Sequence, residues 1–428
     1  MPHPSLTIFQ REAVKYALAQ SLELDKHIIT ETVSPSATII DGGHLLHVVV
    51  WPTPLIYKVV IDLYVKYIIS HYKQGRIIVV FDGYGDKQTT KSLEQRRRAV
   101  MKSSADINLI LDAQTTTSQE EFLSNAHNKT ALIRELTKAL MSRGVEVNQP
   151  SGDADLNIAL SAMAAAETGS GPIHVVSRDT DVLVILLARL NREEVVLVQP
   201  QPGKSSKFIN IKKVKTDLGH ELCDVLLPLH AMTGCDTTSA PFSKGKKKPL
   251  MLAKRSEEFR SNLATFNSKE SDKASIAEAG EKLMMMLYNV KQFKSLNKAR
   301  YFRLKQMIAR KSLSSTTKLS TLPPTSSSAK MHSFRVFLQV QSWYGNDLDP
   351  LHFGWELRAG NLFPIGSDRS AAPERLLNII YCNCVAGCKQ NSACRCRKAN
   401  EACTAMCGHC VGLTCTNAFD DDMGHDVD

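Results

Sequence analysis

The sequence lacks any long apolar run of the kind that crosses a membrane. Its most apolar stretches are interrupted by charged or imidazole side chains at Asp41, His44, Lys58, Asp62 and Lys66. Because a spanning helix needs about 18 or more apolar residues in succession, we expect a soluble chain with no membrane partner. The N-terminus also lacks the charged leader, apolar core and cleavage site of a secretory signal. We therefore expect an intracellular, reducing compartment, where disulfides are rare.

Cysteine is scarce through most of the chain. Of eleven cysteines, only Cys223 and Cys235 lie outside the segment from Cys382 to Cys415, and we interpret these two as small buried apolar residues. A composition of 43% hydrophobic and 22% charged residues excludes a wholly disordered or fibrous protein. Acids are outnumbered by bases, 43 to 53, for a net charge of +10. That excess favours an anionic partner such as nucleic acid.

Short β-rich runs alternate with longer helical patterns between Thr38 and Val198, an order typical of parallel α/β sheets. The predicted strands are ATII before Asp41, RIIVVF before Asp82, and the runs at 145–147, 173–177 and 194–198. Helical patterns cover 54–72, 88–104, 129–142, 153–166 and 180–190. The alternation predicts an α/β fold with a doubly wound, mostly parallel sheet.

From residue 37 onward, the chain divides by composition into six parts. Residues 37–260 form the predicted α/β domain, and a basic helical extension follows at 261–311. The stretch at 312–330 is rich in Ser, Thr and Pro, which predicts a flexible linker. Beyond it we expect a small ordered connector at 331–380, a cysteine-rich module at 381–417 and an acidic tail at 418–428.

Seven aspartates mark a candidate metal site. Asp41, Asp82 and Asp179 each follow a predicted strand, at the edge where doubly wound sheets bind ligands. The others, in SGDADLNIA, SRDTDVLVI and TGCDTTSA, are Asp153, Asp155, Asp181 and Asp236. A single aspartate in such a place can be a helix N-cap or a turn residue. The two pairs, Asp153 with Asp155 and Asp179 with Asp181, favour a metal site over helix capping alone.

Clustered carboxylates need a cation. Like charges a few ångströms apart raise each other's pKa unless they are compensated, and Mg²⁺ and Mn²⁺ prefer carboxylate oxygens. Two such ions about 4 Å apart can stabilise the attacking and leaving oxygens of a phosphodiester. The aspartates therefore predict metal-assisted hydrolysis.

Five motifs stand in order along the chain: IIDGG, VVFDG with KSLEQRRR, GVEVNQPSGDADLNIA, VVSRDTDVLV and TGCDTTSAPFSKGKKK. In this order they resemble the flap endonuclease and XPG group of 5′-nucleases, in the wider PIN-like superfamily, over about residues 37 to 255. The resemblance implies a structure-selective nuclease with two Mg²⁺ or Mn²⁺ ions held by all seven aspartates. It also implies that Lys91 and Arg98 grip the scissile phosphate, with Arg96 and Arg97 as further nucleic-acid contacts.

Two departures from the family pattern leave a second hypothesis open. Asp153 and Asp155 stand where the family usually has glutamates, and the glycine-rich helix-turn-helix is represented by PFSKGKKK. We predict that duplex binding depends instead on phosphate contacts from its four lysines, Lys244, Lys246, Lys247 and Lys248. The alternative is a nuclease-like fold that binds nucleic acid or chromatin without turnover.

We interpret three polar residues near the aspartates as structural: His44 and His47 as ordinary helix or core histidines, and Ser177 as a hydroxyl at a strand end. His44 and His47 lie three apart in HLLH, but no cysteine or third histidine is near them in sequence to complete a metal site. Ser177 is interpreted as a strand-end hydroxyl, because its motif contains no paired base.

Nine cysteines fill the last module, with the spacing C-x-C-x3-C-x5-C-x-C-x6-C-x3-C-x2-C-x4-C. Three tetrahedral zinc ions need twelve sulfur positions, which nine thiolates supply if three of them bridge two metals each. Disulfides would leave one thiol unpaired, and the segment has too few apolar side chains for a core of its own. The predicted zinc ligands are Cys382, Cys384, Cys388, Cys394, Cys396, Cys403, Cys407, Cys410 and Cys415.

The two C-x-C pairs and the closing C-x-N, Cys415 to Asn417, resemble the tesmin-type CXC domain. The resemblance implies three zinc ions, DNA as the partner and a nuclear location. It also implies phosphate contacts from Lys389, Arg395, Arg397 and Lys398. This chain has one copy where the family generally has two, and Ala393 stands where the family has a DNA-contacting tyrosine. A PIN-like domain followed by a CXC module also resembles animal proteins associated with mobile elements.

Overall fold

The computed structural model describes residues 18–29, 33–52, 54–83, 90, 104–150, 154–169, 171–190, 195–201, 204–309, 321–368, 381–385, 387–389, 394–403, 407–410 and 415–417. The chain forms two compact units. The first comprises Met1–Ile276 with His332–Ile365, and the second Ala277–Met331 with Gly366–Asp428.

A seven-stranded sheet organises the first unit. Its strands are β1 (Ile28–Ile29), β2 (Ala37–Asp41), β3 (Arg76–Val80), β4 (Glu146–Asn148), β5 (Ile173–Val176), β6 (Val195–Gln201) and β7 (Lys204–Asn210). Their spatial order is β1-β7-β6-β5-β2-β3-β4. The five strands from β6 to β4 are parallel, and β7 and β1 add antiparallel pairs at one edge. The predicted α/β fold with a mostly parallel sheet is confirmed.

The antiparallel edge was not predicted. β7 has the sequence KSSKFIN, which is too polar to indicate a strand by itself. Its pairing with β6, from Val196 opposite Asn210 to Gln201 opposite Lys204, places it in the sheet. Backbone hydrogen bonding, rather than side-chain pattern, thus decides this edge.

Helices alternate with the strands of the sheet along the chain, and further helices follow the last of these strands. They are α1 (Gly42–Val48), α2 (Tyr57–His71), α3 (Gln119–Ser124), α4 (Ala126–Met141), α5 (Ala154–Thr168), α6 (Thr180–Arg189), α7 (Ile211–Leu218), α8 (His220–Cys223), α9 (Leu226–Met232), α10 (Lys247–Arg255), α11 (Glu257–Ala264), α12 (Lys273–Leu287), α13 (Leu296–Ala309), α14 (Ser326–Tyr344) and α15 (Arg395–Lys398). Nearly all of the predicted helix at 88–104 lies outside the described residues. None of the described helices is both long enough and apolar enough to cross a bilayer.

The chain reverses its direction of winding at β2. From β2 it proceeds through β3 to β4 on one side, and then returns to place β5 on the other side of β2. Ile40 is in register with Val176 of β5, and Asp41 with Val80 of β3. The residues that follow β2, β3 and β5 therefore meet at one sheet edge, at the switch point where such folds bind ligands.

The structure describes residues 321–368 of the predicted linker and connector. Helix α14 begins at Ser326, inside the stretch 312–330 for which we predicted a flexible linker. Thr325 explains the start, because its Oγ1 accepts a hydrogen bond from the Ser328 amide at 3.1 Å, as an N-cap does. Residues His332–Ile365, predicted as part of a separate connector, belong to the first unit. They include a hairpin of β8 (Trp355–Arg358) and β9 (Asn361–Pro364).

Candidate carboxylate site and zinc module

Asp41 and Ser177 join two strand ends at the switch point. Asp41 Oδ1 accepts a hydrogen bond from the His44 amide at 3.0 Å and so caps α1. Its Oδ2 accepts one from Ser177 Oγ at 2.8 Å. The same hydroxyl oxygen accepts from the Asp179 amide at 3.0 Å. Ser177 is thus a strand-end hydroxyl as predicted, and it also fixes the loop of Asp179 against the carboxylate of Asp41.

Two glycines, Gly42 and Gly43, allow the close approach of backbone and side chains around Asp41 and Asp82. A Cβ at Gly42 would lie 2.3 Å from the ring of Phe81 and 2.7 Å from the Val80 carbonyl, so only glycine lets α1 start this close to β3. A Cβ at Gly43 would lie 3.3 Å from Asp41 Oδ1 and 3.9 Å from Asp82 Oδ2. The IIDGG motif therefore leaves the space between the two carboxylates open.

Asp179 and Asp181 occupy the start of α6 but have different surroundings. Asp179 caps the helix, because its side chain accepts from the Asp181 amide at 2.9 Å. Helix α6 is buried without interruption from Thr180 to Leu187, as expected of a helix that is apolar on all sides. Asp181 is carried into the interior with it and is only 1% exposed.

The buried carboxylate of Asp181 is compensated through a histidine. Asp181 Oδ1 lies 2.8 Å from His230 Nε2, and His230 Nδ1 lies 2.9 Å from the Nζ of Lys246. An ammonium group has donors only, so His230 Nδ1 accepts and Nε2 carries the proton donated to Asp181. A neutral imidazole thus links a buried lysine to a buried aspartate.

Lys246 requires a correction. We grouped it with the lysines that contact phosphate, but it is 0% exposed. Besides His230 Nδ1, its Nζ donates to the carbonyls of His230 and Gly234, at 2.9 and 2.6 Å, and lies 3.1 Å from Thr233 Oγ1. Acceptors of the protein surround the ammonium group, so a phosphate has no access to it. Of the other three lysines, Lys247 and Lys248 are exposed and Lys244 is half-buried.

The loop that carries Asp236 is supported by α14. Thr237 Oγ1 donates to Gln339 Oε1 at 2.5 Å, and His332 Nε2 donates to the Met232 carbonyl at 3.0 Å. The ring of Trp343 stacks on His230, with centroids 5.7 Å apart. A segment that the sequence indicated only as a connector therefore holds both the loop of Asp236 and the imidazole beside Asp181.

The remaining predicted site residues are located as follows. Asp155 is half-buried in the first turn of α5, a helix that packs on β2, β3 and β5. His44 is half-buried and His47 exposed, both on α1, and burial lowers the pKa of His44 although Asp41 opposes the shift. Five predicted residues lie outside the described part of the chain: Asp153, Lys91, Arg96, Arg97 and Arg98.

Sequence reasoning missed two basic neighbours of the acids. Lys129 on α4 places its Nζ 3.9 Å from Asp82 Oδ2, and His230 on α9 contacts Asp181. Neither residue stands in one of the quoted motifs: Lys129 lies in a polar run at the start of α4, and His230 is the single polar residue of LLPLHAM. Only the packing of α9 against α6 brings His230 to the acid.

The carboxylates suit a hard cation. Asp41, Asp82 and Asp179 meet at one sheet edge and offer the oxygens that Mg²⁺ and Mn²⁺ prefer. Within the described residues, however, the groups of three or more ligand atoms within 4.8 Å of one another consist of cysteines alone. Among the described residues, the acids are therefore spread around the switch point rather than gathered about one centre.

The nine cysteines of the second unit form one cluster. Six Sγ···Sγ distances between different cysteines run from 3.5 to 4.0 Å. Four sulfurs around zinc at 2.3 Å in a tetrahedron stand about 3.8 Å apart, whereas a disulfide needs about 2.05 Å. The spacing fits thiolates around metal ions, and the cluster could hold zinc.

Three groups of four thiols share members. They are Cys382, Cys388, Cys394 and Cys403; Cys382, Cys396, Cys403 and Cys407; and Cys388, Cys403, Cys410 and Cys415. Cys382 and Cys388 each occur in two groups and Cys403 in all three. Cys384 is in none of them, but its thiol interacts with those of Cys382, Cys388 and Cys394.

Two polar side chains brace the cysteine module. Arg397 Nε donates to the Cys388 carbonyl at 2.6 Å, and its Nη2 donates to the Thr416 carbonyl at 2.6 Å. Asn417 Nδ2 donates to the Glu401 carbonyl at 2.9 Å and lies 3.4 Å from Cys403 Sγ. Arg397, predicted to contact phosphate, is thus half-buried and engaged in the fold, whereas Lys389, Arg395 and Lys398 are exposed.

The start of α15 favours a thiolate. Burial of Cys394 opposes ionisation, but hydrogen bonds from the backbone of Arg397 and Cys396 and from neighbouring thiols prevail and lower its pKa to about 6. Metal coordination requires the deprotonated form. Cys394 is therefore prepared for it by its position at a helix start.

No sequence model of a protein family matches the chain, and no curated protein matches it by sequence. Solved structures do resemble it. The catalytic core of Rad2 in complex with DNA substrate aligns at 11% identity and a TM-score of 0.36, over 59% of this chain and 70% of that one. The bacteriophage T5 D15 protein co-crystallised with metal ions aligns at 15% identity and a TM-score of 0.37, over 59% of this chain and 88% of that one.

Proposed function

We propose that this chain is a divalent-metal-dependent, structure-selective nuclease that hydrolyses phosphodiester bonds at the carboxylate site. One observation carries the proposal: the hydrogen-bonded link from Asp41 through Ser177 to the loop of Asp179, across the switch point of the sheet. Carboxylate oxygens at this edge are ligands that a hard divalent cation prefers, and such cations neutralise the charge of a phosphodiester substrate.

Each described acid has a role that follows from its surroundings. Asp41, Asp82 and Asp179 are proposed to hold two Mg²⁺ or Mn²⁺ ions with Asp155 and Asp236, and Asp153 would complete the set. Bound metal would lower the pKa of a water molecule and neutralise developing charge on the phosphate. Ser177 and the cap of α6 orient the carboxylates, and Lys129 partly compensates Asp82. Lys244, Lys247 and Lys248, with Lys91, Arg96, Arg97 and Arg98, are proposed to contact the nucleic-acid backbone.

The cysteine module is proposed to bind three zinc ions as a CXC-type cluster and to dock the protein on DNA in the nucleus. Cys382, Cys388 and Cys403 would be the bridging thiolates, because each belongs to more than one group. The other six would be terminal ligands, with Cys384 taking the place of Cys403 in the group of Cys394, so that each bridging thiolate joins two zinc ions. Exposed Lys389, Arg395 and Lys398 are the proposed phosphate contacts.

A second function is favoured by the burial of Asp181. Its carboxylate is 1% exposed and hydrogen-bonded to His230, so it contributes little to metal binding at the open edge of the sheet. A site with fewer accessible acids would bind metal more weakly. The chain would then be a nucleic-acid-binding or chromatin-associated protein without turnover.

A cleavage assay separates the two functions. Purified full-length protein is incubated with labelled single-stranded, duplex and flapped DNA and RNA in Mg²⁺ or Mn²⁺. Asp41→Asn keeps an oxygen for the α1 cap but removes the charge, and we expect cleavage to fall at least about 100-fold. Asp62→Asn, the same change at an exposed position of α2, is the matched control.

The outcomes are distinct. Cleavage that survives Asp41→Asn would assign the activity to another site or to a contaminant. Binding by the wild-type protein without cleavage of any substrate would establish the second function instead.

A further inference from the structure

The positive charge of the chain is concentrated in one region. Residues 282–346 contain twelve Lys and Arg residues and no Asp or Glu. The net charge of the whole chain is +10, so this region alone accounts for more than the total. Such a region attracts a polyanion at long range.

Within this region, α13 separates a buried face from an exposed aromatic one. Leu296 and Ala299 are fully buried. Tyr301 is 64% exposed and Phe302 40% exposed, and the ring of Phe302 packs on Phe293 with centroids 5.1 Å apart. Two aromatic rings in solvent on one helical turn are costly unless something covers them.

The two arginines of the same turn point inward. Arg300 Nη1 donates to the Pro323 carbonyl at 2.7 Å, and Arg303 Nη2 donates to the Tyr288 carbonyl. These bonds hold the helix against its own unit and fix which face carries the aromatic rings. The arginines therefore support the exposed rings and leave the contact with a partner to other cations.

Three lysines lie close to these rings in sequence: Lys298 precedes Tyr301 by about one turn of α13, and Lys291 and Lys294 stand on either side of Phe293, whose ring contacts Phe302. Lys291, Lys294 and Lys298 are exposed, and no described acid forms an ion pair with any of them. Their ammonium groups are free to contact an anion. Aromatic rings interleaved with unpaired cations are the combination that binds single-stranded nucleic acid, where bases stack on the rings and lysines track the phosphates.

We propose that Tyr301 and Phe302, with Lys291, Lys294 and Lys298, form a binding site for single-stranded nucleic acid. An unpaired strand is the partner that fits, because the bases of a duplex are already stacked and paired and cannot reach the rings. The site goes beyond the proposed nuclease function, since it needs neither the carboxylates nor a metal ion. It would hold an unpaired segment of a substrate whether or not the chain cleaves it.

The test measures binding of full-length protein to fluorescent oligo(dT), oligo(U) and a duplex of equal length, without added Mg²⁺ or Mn²⁺. We expect Tyr301→Ala with Phe302→Ala to raise the Kd for a single strand about tenfold, with little change for the duplex. Tyr301→Phe with Phe302→Tyr should restore binding, because both rings remain. The two single strands show whether DNA, RNA or both are accepted.

A charge variant tests the lysines separately. Replacing Lys291, Lys294 and Lys298 by Gln should reduce the slope of log K against log salt by about 2 for a single strand. Lys73→Gln, at an exposed position after α2, is the control for loss of a lysine charge. Far-UV circular dichroism and the zinc content of each variant confirm that the chain is folded.

Unchanged single-strand affinity in the alanine variant would overturn the proposal, as would an equal loss of duplex binding. The nuclease proposal is judged separately, by cleavage in Mg²⁺ or Mn²⁺. Cleavage without single-strand binding at these residues would reject the binding site and keep the nuclease proposal. Single-strand binding without cleavage would reject the nuclease proposal and keep the binding site.

Discussion

Asp181 Oδ1 and His230 Nε2 lie 2.8 Å apart, and both side chains are shielded from solvent. On its other side the imidazole accepts from Lys246. The charges of Asp181 and Lys246 are therefore separated by a neutral ring that hydrogen-bonds to both. Removing any one member takes a hydrogen-bond partner from a buried polar or charged group.

His230→Leu should destabilise the first unit by about 3 kcal/mol, because it leaves Asp181 and Lys246 buried and unlinked. With Asp181→Asn as the second change, a double-mutant cycle should give a coupling of about 1 kcal/mol or more. Tryptophan fluorescence during urea unfolding is the readout, since Trp51, Trp343 and Trp355 all belong to the first unit. Additive effects would contradict the link.

Lys246 and Lys248 should behave in opposite ways. Lys246→Met should lower the free energy of unfolding by about 3 kcal/mol, since its ammonium compensates a buried network. Lys248→Met should leave stability within about 0.5 kcal/mol and reduce the salt slope of duplex binding by about 0.9. Urea unfolding and a salt series of anisotropy titrations check the pair. A stable Lys246→Met variant with weakened DNA binding would restore the role predicted from the sequence.

The two glycines of IIDGG should separate stability from activity. Gly42→Ala should cost about 2 kcal/mol, because its Cβ would meet Phe81 and the backbone of Val80. Gly43→Ala meets only the ends of Asp41 and Asp82, so it should be nearly neutral in stability. Its methyl group would nevertheless narrow the space between the carboxylates and lower cleavage. Thermal unfolding and the cleavage assay together measure the contrast.

Stability should fall in acid because of His332. Burial, with the nearby charge of Arg335, lowers the pKa of His332 from its ordinary 6.5 to about 4. The unfolded chain thus takes up a proton below pH 6.5 that the folded chain refuses until about pH 4. Between pH 6.5 and pH 4 the free energy of unfolding therefore falls by about 3 kcal/mol. His332→Gln keeps a donor for the Met232 carbonyl, and should flatten the pH dependence of urea unfolding between pH 7 and 4.

The cysteine variants should differ in how many zinc ions they lose. Native mass spectrometry of the wild-type protein should show three, and Cys403→Ser should lose at least two because the proposed bridging thiolate of Cys403 binds two of the ions. Cys384→Ser, which removes a terminal position, should keep at least two. Cys223→Ser, outside the module, should keep all three. A folded wild-type protein with two zinc ions or fewer would refute the shared-thiolate arrangement.

Several features could be predicted from the sequence because they depend on local pattern. The strands before Asp41 and Asp82 are apolar runs ended by an acid, and the order of strands and helices fixed a parallel sheet in advance. The cysteine spacing likewise indicated a metal cluster. The polar strand β7 could not be found this way, since pairing with β6 defines it.

The side chains of the site likewise fall into those that local sequence predicts and those that only the folded chain positions. The sequence by itself determined which acids end the strands, because strand exits and caps depend on neighbouring residues. Only the tertiary structure decided that Lys246 is buried against His230 and that Arg397 braces the cysteine module. Burial depends on which distant segment packs over a residue, as α6 and α14 do around His230. A run of lysines carries no such information, so the roles of Lys246 and Lys248 could be distinguished only in the folded chain.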